Sequence, residues 1–188
     1  MPAADIVPGL QSFYDQQVER CNDRGIPAET LRLSHVAVRA RTWREYVEQR
    51  DELERHAVAN VENVWNGRPI SKLVLAEPIA LGSALLELVE LIPPFHQRVY
   101  RMGLEHFGFV VGDDLEAFSK RHRAVLTGQQ FQSAANEPVY ILFEDYTHVK
   151  FHRYTLREAC ERAGRSFDGF QHSDWHVDNE LAGPYAVT

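Results

Sequence analysis

The sequence has few cysteines and lacks the common local motifs of catalysis. Its two cysteines, Cys21 and Cys160, lie far apart in helix-like stretches without a C-x-x-C pattern. We therefore expect free thiols rather than a disulfide framework or a thiolate metal site. The chain also has no glycine-rich phosphate loop, no G-x-S-x-G and no H-E-x-x-H, so any site must be assembled from residues distant in sequence.

Positive charge and long apolar runs are also scarce. Twenty basic residues stand against 27 acidic ones, giving a net charge of −7. This balance argues against a nucleic-acid partner, because no basic stripe is available to neutralise phosphates. No stretch approaches the ~20 apolar residues that cross a bilayer, and the N-terminus lacks the basic and apolar regions of a signal peptide. We therefore expect a cytoplasmic protein that binds neither nucleic acid nor membrane.

With 188 residues, 44% of them hydrophobic and 25% charged, the chain is long enough to bury a core as one domain or two modules. Helix and strand patterns predict an α+β fold in four segments. These are an N-terminal helix in residues 1–30, a β-α-β-β-β module in residues 31–94, a second such module with a closing helix in residues 95–164, and an irregular tail or lid in residues 165–188.

The element order repeats, and so does a histidine in the opening strand of each module. Leu33–Ala40 reads LSHVAVRA and Leu104–Val111 reads LEHFGFVV, an L-x-H start in both. In the second module the three later strands are expected at 129–135, 139–145 and 148–154. Thr42 and Thr155 are the predicted N-caps of two helices. The repeat predicts two superposable modules whose sheets form one incomplete barrel.

Strand alternation places each opening histidine on the face away from its module's helix. His35 shares a face with Ala37 and Arg39, and His106 shares one with Gly108, whereas the opposite faces are apolar. The small residues Ala37 and Gly108 leave room beside the histidines. Both imidazoles are therefore expected to point into the space around which the sheet curls.

The last strand of each module contributes one more inward polar residue, so the pattern yields four candidate metal ligands: His35, Glu90, His106 and His152. Imidazole and carboxylate donors suit Fe, Zn, Ni or Mn. One strand histidine alone is more often a hydrogen-bonded core or surface residue, but its recurrence at equivalent positions favours a metal. Glu87 competes with Glu90 and lies on the opposite face, so only one of them can share the site without a bulge.

At this point the sequence resembles a known family. Paired β-α-β-β-β modules with ligands in their first and last strands resemble the vicinal oxygen chelate superfamily, which includes glyoxalase I, extradiol dioxygenases and fosfomycin-resistance proteins. Within it, LSHVAVR, NGRPISKLVLAEPI, VELIPP, LEHFGFVV and VKFHRYTLREA are similar to the YecM-like family of bacterial metal-binding proteins. The resemblance covers roughly residues 31–161 and implies that the four candidates bind a metal. The superfamily usually has glutamate where this sequence has His152.

Several residues share faces with the candidate ligands. Arg39 is expected to bind an acidic group of the substrate, and Tyr154, Lys150 or His148 to move a proton. The NGRP stretch most simply forms a tight turn, although Arg68 at its end could bind a substrate carboxylate.

The leading hypothesis is an enzyme with one divalent ion, acting on a small molecule that chelates the ion through neighbouring oxygens. The histidine-rich set favours Fe(II) and dioxygenase chemistry, with a Zn or Ni isomerase or lyase as the alternative. A non-catalytic protein that sequesters a small molecule is the hypothesis from another class. A structural metal site ranks last, because such sites are usually closed and cysteine-rich. The protein is expected to be a monomer or a homodimer.

Overall fold

The computed structural model describes residues 7–65, 67–94 and 101–174, which form one nine-stranded sheet and four α-helices. The elements of the first half are α1 (Leu10–Asn22), β1 (Arg32–Arg39), α2 (Trp43–Glu54), β2 (Ala57–Trp65), β3 (Arg68–Leu81) and β4 (Ala84–Ile92). Those of the second half are β5 (Gly103–Val110), α3 (Leu115–Arg121), β6 (Gly128–Gln129), β7 (Val139–Leu142), β8 (His148–His152), α4 (Leu156–Arg162) and β9 (Phe170–Gln171). The order β1-α2-β2-β3-β4 recurs as β5-α3-β6-β7-β8, which confirms the α+β class and the repeated unit.

The sheet brings the strands that carry the candidate ligands to its centre. Its order is β6-β7-β8-β5-β1-β4-β3-β2-β9. The two opening strands, β1 and β5, pair antiparallel, and each pairs in parallel with the last strand of its own module, β4 or β8. The four strands β8, β5, β1 and β4 are therefore adjacent, and inward side chains from all of them face one space.

One face of the sheet is apolar and carries helices. Phe107 of β5 stacks on Phe13 of α1 with ring centroids 5.3 Å apart, and Phe151 of β8 packs on Phe118 of α3 at 4.8 Å. Val36 of β1 is fully buried in the same core. Burial of these large side chains is the main source of stability of the sheet. The opening histidines alternate with these residues and so lie on the other face, as the alternation predicts.

Both predicted N-caps are present. Thr42 accepts a hydrogen bond from the amide of Glu45 at the start of α2. Thr155 forms a reciprocal capping box with Glu158 at the start of α4. The helix α4 begins shortly after β8, and its Leu156 packs beside Val74 and Leu88. Val74 and Leu88 are each two residues from Lys72 and Glu90 in their strands and so lie on the same face of the sheet. The closing helix thus covers one end of the inner face.

Two predicted elements differ in the structure. The strand expected at 129–135 is reduced to Gly128–Gln129, which pairs with β7. An isolated bridge between Ser133 and Asn136 follows and turns the chain back. In the segment predicted as a tail or lid, Phe170–Gln171 extend the sheet by pairing with β2, and the part from residue 175 onward lies outside the described residues.

Candidate metal centre

Three of the four candidate ligands converge on the inner face. The ligand atoms of His35, Glu90 and His106 all lie within 4.8 Å of one another. The Nε2 atom of His106 is 3.5 Å from Oε2 of Glu90, and that of His35 is 3.9 Å from the same oxygen. All three side chains are buried. Two imidazoles and one carboxylate therefore surround a single point from three different strands.

The register of the sheet explains this convergence. Ala37 of β1 is the Cα partner of Glu90 on one side and of His106 on the other. Neighbouring strands lie about 4.8 Å apart, so the two ligands approach each other over the methyl group of Ala37. A larger side chain at this position would occupy the space between them.

Glu90, and not Glu87, is the carboxylate beside the histidines. The Glu87 side chain is 59% exposed and lies 3.8 Å from a guanidinium nitrogen of Arg32. Residues three apart in a regular strand point to opposite faces. The register shift beside Glu87 has its extra residues in β3, between Val74 and Ile79, opposite Leu86–Leu88 of β4. The alternation of the sequence is thus sufficient to distinguish the two glutamates.

His152 lies at the end of β8, next to the set of three but outside it. Its ring centroid is 5.3 Å from that of His35. Its side chain is buried, and within the described residues Nε2 has no hydrogen-bond partner. The structure therefore brings the fourth candidate to the same cluster without joining it to the central carboxylate.

Gly108 makes room for two of the rings. A Cβ atom at this position would lie 2.3 Å from Cε1 of His35 and 3.1 Å from Nε2 of His152. Real Cβ contacts are longer than the first of these distances, so a side chain at this position would displace the His35 ring. Glycine is required here for the close approach of a side chain to the backbone.

A residue missed by the alternation argument stands before each opening histidine. In β1, Ser34 is an extra residue between the pairs Leu33–Phe109 and His35–Gly108, and in β5 Glu105 is extra before His106. The bulge at Ser34 allows Leu33 to pack in the apolar core while His35 still faces inward. Ser34 Oγ lies 2.9 Å from Nδ1 of His35, and Glu105 Oε1 lies 3.2 Å from Nδ1 of His106.

The x of each L-x-H start is therefore the hydrogen-bond partner of the histidine that follows it. Such partners fix the tautomer and the ring orientation of metal-binding histidines. Ser34 Oγ also accepts the amide hydrogen of Leu156, 2.8 Å away, which connects the site to the start of α4. A carboxylate or hydroxyl directly before a strand histidine is the signal that could have identified these residues, together with the expectation of a bulge.

Arg39 is engaged with Glu105 rather than pointing freely into the cavity. Its Nε donates to Glu105 Oε2, and its Nη1 donates to the carbonyl of Pro93 at 3.2 Å. Burial raises the pKa of Glu105. The hydrogen bond from His106 and the charge of Arg39 lower it by a larger amount, so the net pKa is well below its ordinary value. Glu105 is therefore ionised and accepts the Nδ1 hydrogen of His106, which leaves Nε2 with its lone pair towards Glu90.

The three clustered histidines are neutral. Burial lowers the pKa of His35 and His106 well below the ordinary value, and the neighbouring Lys150 lowers both further. The pKa of His152 is depressed in the same way by burial and then by His35. Neutral imidazole is the form that binds a metal ion. At pH 7 these side chains are therefore ready to ligate without first losing a proton.

A cavity of about 400 Å³ opens beside the cluster. Glu90 lines it together with Arg39, His148 and Lys150, which were all predicted to belong to the site. Burial lowers the pKa of His148 to about 4, with a further contribution from the charge of Lys150. Lys150 Nζ donates to Gln130 Oε1 at 3.2 Å. The lining also includes residues that the sequence pattern did not identify: Trp65, Gln129, Gln130, Gln132, Tyr140 and Tyr146.

Tyr154 and Arg68 are not brought to this cavity. The strand that was predicted to reach Tyr154 ends at His152, and the Tyr154 ring lies under the guanidinium of Arg162, 3.9 Å from its central carbon. Arg68 is buried at the start of β3 and donates from Nε to the carbonyl of Pro94 at 2.9 Å. The Thr155 cap ends the alternation that would have placed Tyr154 next to Lys150.

A sequence model of the family described as "YecM protein" matches residues 3–145. This chain belongs to the YecM family. The matched region contains His35, Glu90 and His106 and ends before His152. Protein YecM of Escherichia coli (strain K12) is 27% identical over 175 residues, which cover 82% of this chain and 90% of that protein.

One solved structure shares the fold of this YecM-family protein. The structure described as "Structural Genomics, Protein EC4020" superposes with a TM-score of 0.67 at 23% identity, covering 85% of this chain and 90% of its own. The 2,3-dioxygenase LapB from Pseudomonas sp. KL28 aligns at 15% identity and a TM-score of 0.42, over 79% of this chain and 48% of that one. The paired modules and the sheet order confirm the vicinal oxygen chelate fold that was expected from the sequence. Within the described residues, no helix is long and apolar enough to cross a membrane.

Proposed function

We propose that this protein is a divalent-metal-dependent enzyme in which His35, Glu90 and His106 hold the ion and His152 supplies a fourth ligand. One observation carries the proposal. The Nε2 atoms of His106 and His152 are buried, and neither has a hydrogen-bond partner in the part of the chain that the structure describes. Leaving such a group unsatisfied costs roughly 1–3 kcal/mol. A metal ion that accepts these lone pairs would remove that cost.

The donor set fits a divalent ion of moderate softness. Three neutral imidazoles and one carboxylate suit Fe, Zn, Ni or Mn better than Ca or Mg. Neither described cysteine belongs to the cluster. Structural zinc sites are typically rich in cysteine and closed, whereas this cluster shares Glu90 with a cavity large enough for a small molecule. These features favour a site that acts on a bound molecule.

The residues around the cavity suggest how a substrate is handled. When bound, the ion would act as a Lewis acid towards a small substrate with two neighbouring oxygens. Lys150 retains N–H groups beyond the one donated to Gln130 and can donate them to an anionic oxygen. The apolar wall formed by Trp65, Ile70 and Ile92 limits the access of water. His148 lines the cavity and is neutral at pH 7, so its imidazole can accept a proton from the substrate.

The preferred chemistry is that of a non-haem Fe(II) dioxygenase. A set dominated by neutral imidazoles leaves more positive charge on the ion than two carboxylates would, which suits an anionic chelating substrate and a soft divalent metal. An isomerase or lyase that uses Zn or Ni is the alternative within the same site. The two differ in whether molecular oxygen is consumed.

Sequestration of a small molecule is the second candidate function. Three aromatic side chains, Trp65, Tyr140 and Tyr146, line the cavity, and aromatic walls are common in binding pockets. A protein of this kind would bind its ligand tightly and release it unchanged.

Metal titration and turnover together test the proposal. The wild type, loaded anaerobically with Fe(II), Zn or Ni, should bind about one ion, and His106→Ala should lose most of that affinity. His56→Ala removes a half-buried histidine outside the cluster and should bind as the wild type does. Oxygen uptake that needs Fe(II) and a chelating substrate would support the dioxygenase. Tight binding without consumption, with or without oxygen, would favour sequestration, and equal metal affinity in all three proteins would overturn the metal site.

A further inference from the structure

Glu90 stands between two cavities. The larger, of about 400 Å³, contains Lys150, and a smaller one of about 200 Å³ contains Lys72. Both are lined by Trp65, Ile70, Glu90 and Gln132. The two cavities therefore adjoin along a shared wall, with the carboxylate of the candidate metal centre in that wall.

Each cavity contains a lysine that is satisfied only by neutral oxygens. Lys72 is 5% exposed, and its Nζ donates to Asn63 Oδ1 and to the carbonyl of Ile70. Lys150 is half-buried and donates to Gln130 Oε1. Over residues 7–65, 67–94 and 101–174, neither ammonium group has a carboxylate within 4.0 Å. Both keep at least one N–H for a ligand.

The register of the sheet places these lysines on opposite sides of the metal centre. Lys150 of β8 is the Cα partner of Gly108, which is in turn the partner of His35. Lys72 of β3 is the partner of Glu90. Paired residues point to the same face of a sheet. Lys150 therefore lies in the inward row of Gly108 and His35, and the next inward row runs from His148 through His106 and Ala37 to Glu90 and Lys72.

The charges along these two rows do not balance. Arg39 and Glu105 neutralise each other, and Glu90 is the one described carboxylate that faces both lysines. Arg165 lines the smaller cavity as well and adds positive charge at its rim. A divalent ion would increase the excess of positive charge. A buried, unpaired ammonium group is costly, so the site as a whole selects an anion with more than one negative charge.

We propose that the substrate is a small molecule with two or more negative charges and an acidic group at each end, one bound by Lys150 in the larger cavity and the other by Lys72 in the smaller. The inference rests on the proposed function, since the oxygens that would chelate the metal lie between these ends. The two terminal groups are carboxylates or one carboxylate and one phosphate, which present the same charged oxygens to an ammonium group. Substrates with one acidic group would leave one lysine without a counter-charge.

Calorimetric binding to the intact protein, with and without metal, tests this. Succinate and glutarate serve as dicarboxylate probes, 3-phosphoglycerate as the phosphate-bearing probe, and butyrate as the monoanion. The wild type should bind at least one of the three probes with two acidic groups about ten-fold or more tightly than butyrate. Lys72→Met and Lys150→Met should each remove most of that preference, whereas Lys120→Met, which alters an exposed lysine of α3, should retain it. Preference for the dicarboxylates or for 3-phosphoglycerate identifies the second acidic group.

The outcomes separate this inference from the proposed function. Far-ultraviolet circular dichroism and metal content of each variant show whether the fold and the ligands are intact, and Lys72→Gln provides a second, polar substitution if the Met variant is unfolded. Metal binding with equal affinity for butyrate and all probes with two acidic groups would overturn this substrate proposal alone. Preference for those probes in a protein that binds no metal would overturn the metal centre and leave the lysine pair supported.

Discussion

Glu105 accepts a hydrogen bond from its own neighbour in β5, with Oε1 3.2 Å from Nδ1 of His106. Adjacent residues of a regular strand point to opposite faces, so this contact depends on the bulge at Glu105. The carboxylate is also paired with Arg39. A chain of three side chains thus orients the imidazole whose Nε2 faces Glu90.

Glu105→Gln should weaken metal binding. The amide oxygen could still accept the Nδ1 hydrogen, but it carries no charge to strengthen the imidazole as a donor, and Arg39 would lose its counter-ion. Loss of such a partner typically lowers metal affinity 10–100-fold, which anaerobic competition with a chromophoric chelator would measure. Glu116→Gln, an exposed glutamate on α3, should have no effect. Equal affinities for the two variants would mean that Glu105 does not support a ligand.

Gly108→Ala should abolish metal binding, whereas the variant should still fold. The added methyl group would lie 2.3 Å from Cε1 of His35 and must displace that ring. Gly25→Ala is the matched control, because its backbone φ of +74° disfavours alanine although nothing lies within 4 Å. The control should lose about 1–2 kcal/mol of stability and bind metal normally. Thermal unfolding combined with metal analysis would separate these effects. Normal metal content in Gly108→Ala would show that the added methyl group does not displace the His35 ring.

His152→Glu should leave the fold intact and change the metal preference. The substitution restores the two-histidine, two-carboxylate set that is common in the superfamily, and an added carboxylate favours Mn relative to Zn or Ni. Competition between Mn and Zn for the wild type and the variant would measure the change. If the order of affinities and their values are the same in both proteins, His152 is not a ligand.

Acid should destabilise the protein partly through Glu62. Burial raises the pKa of this carboxyl. Three effects together lower it by a larger amount: the hydrogen bond from Tyr46, the hydrogen bond from the amide of Ser173 and the charge of Arg50. The net pKa therefore lies below its ordinary value. A group with a depressed pKa in the folded state stabilises the fold above its ordinary pKa of 4.5 and loses this contribution as pH falls through the depressed value. The free energy of unfolding of the wild type, measured with urea, should therefore decrease below about pH 4.5.

Glu62→Gln should be less stable than the wild type at pH 7, by about 1–3 kcal/mol, and the difference should shrink towards pH 3. Ser173 donates to Glu62 Oε2 from both its amide and its hydroxyl, so the variant should also release residues 170–174 from β2. Glu48→Gln, an exposed control, should follow the wild-type curve. A constant difference between wild type and Glu62→Gln from pH 3 to pH 7 would show that Glu62 does not contribute.

Much of the fold follows from local pattern. The L-x-H repeat, the two threonine caps and the choice of Glu90 over Glu87 all depend on periods of two or on helix ends, which are properties of short stretches. What could not be predicted depends on contacts across the sheet. The bulges at Ser34 and Glu105 exist because the two opening strands pair with each other, and that pairing joins residues distant in sequence.

The same reason explains one residue that was misplaced, Tyr154, and one that was missed, Lys72. The sequence alternation continues to Tyr154. In the structure, however, β8 ends at His152, and Thr155 caps the start of α4. Lys72 reads as one more residue of a strand, and its place beside Glu90 becomes visible only with the register of β3 and β4. The chemistry around the candidate ligands is therefore harder to predict than the ligands.

Metal content of matched glutamate variants tests the central claim most directly. Wild type, Glu90→Gln and Glu87→Gln would be purified without chelator or nickel resin, loaded anaerobically with Fe(II), desalted and analysed for metal. The account predicts about one ion per chain in the wild type and in Glu87→Gln, and a large loss in Glu90→Gln with an unchanged circular dichroism spectrum. Equal metal content in Glu90→Gln and Glu87→Gln, or none in the wild type with any of Fe, Zn, Ni and Mn, would contradict it.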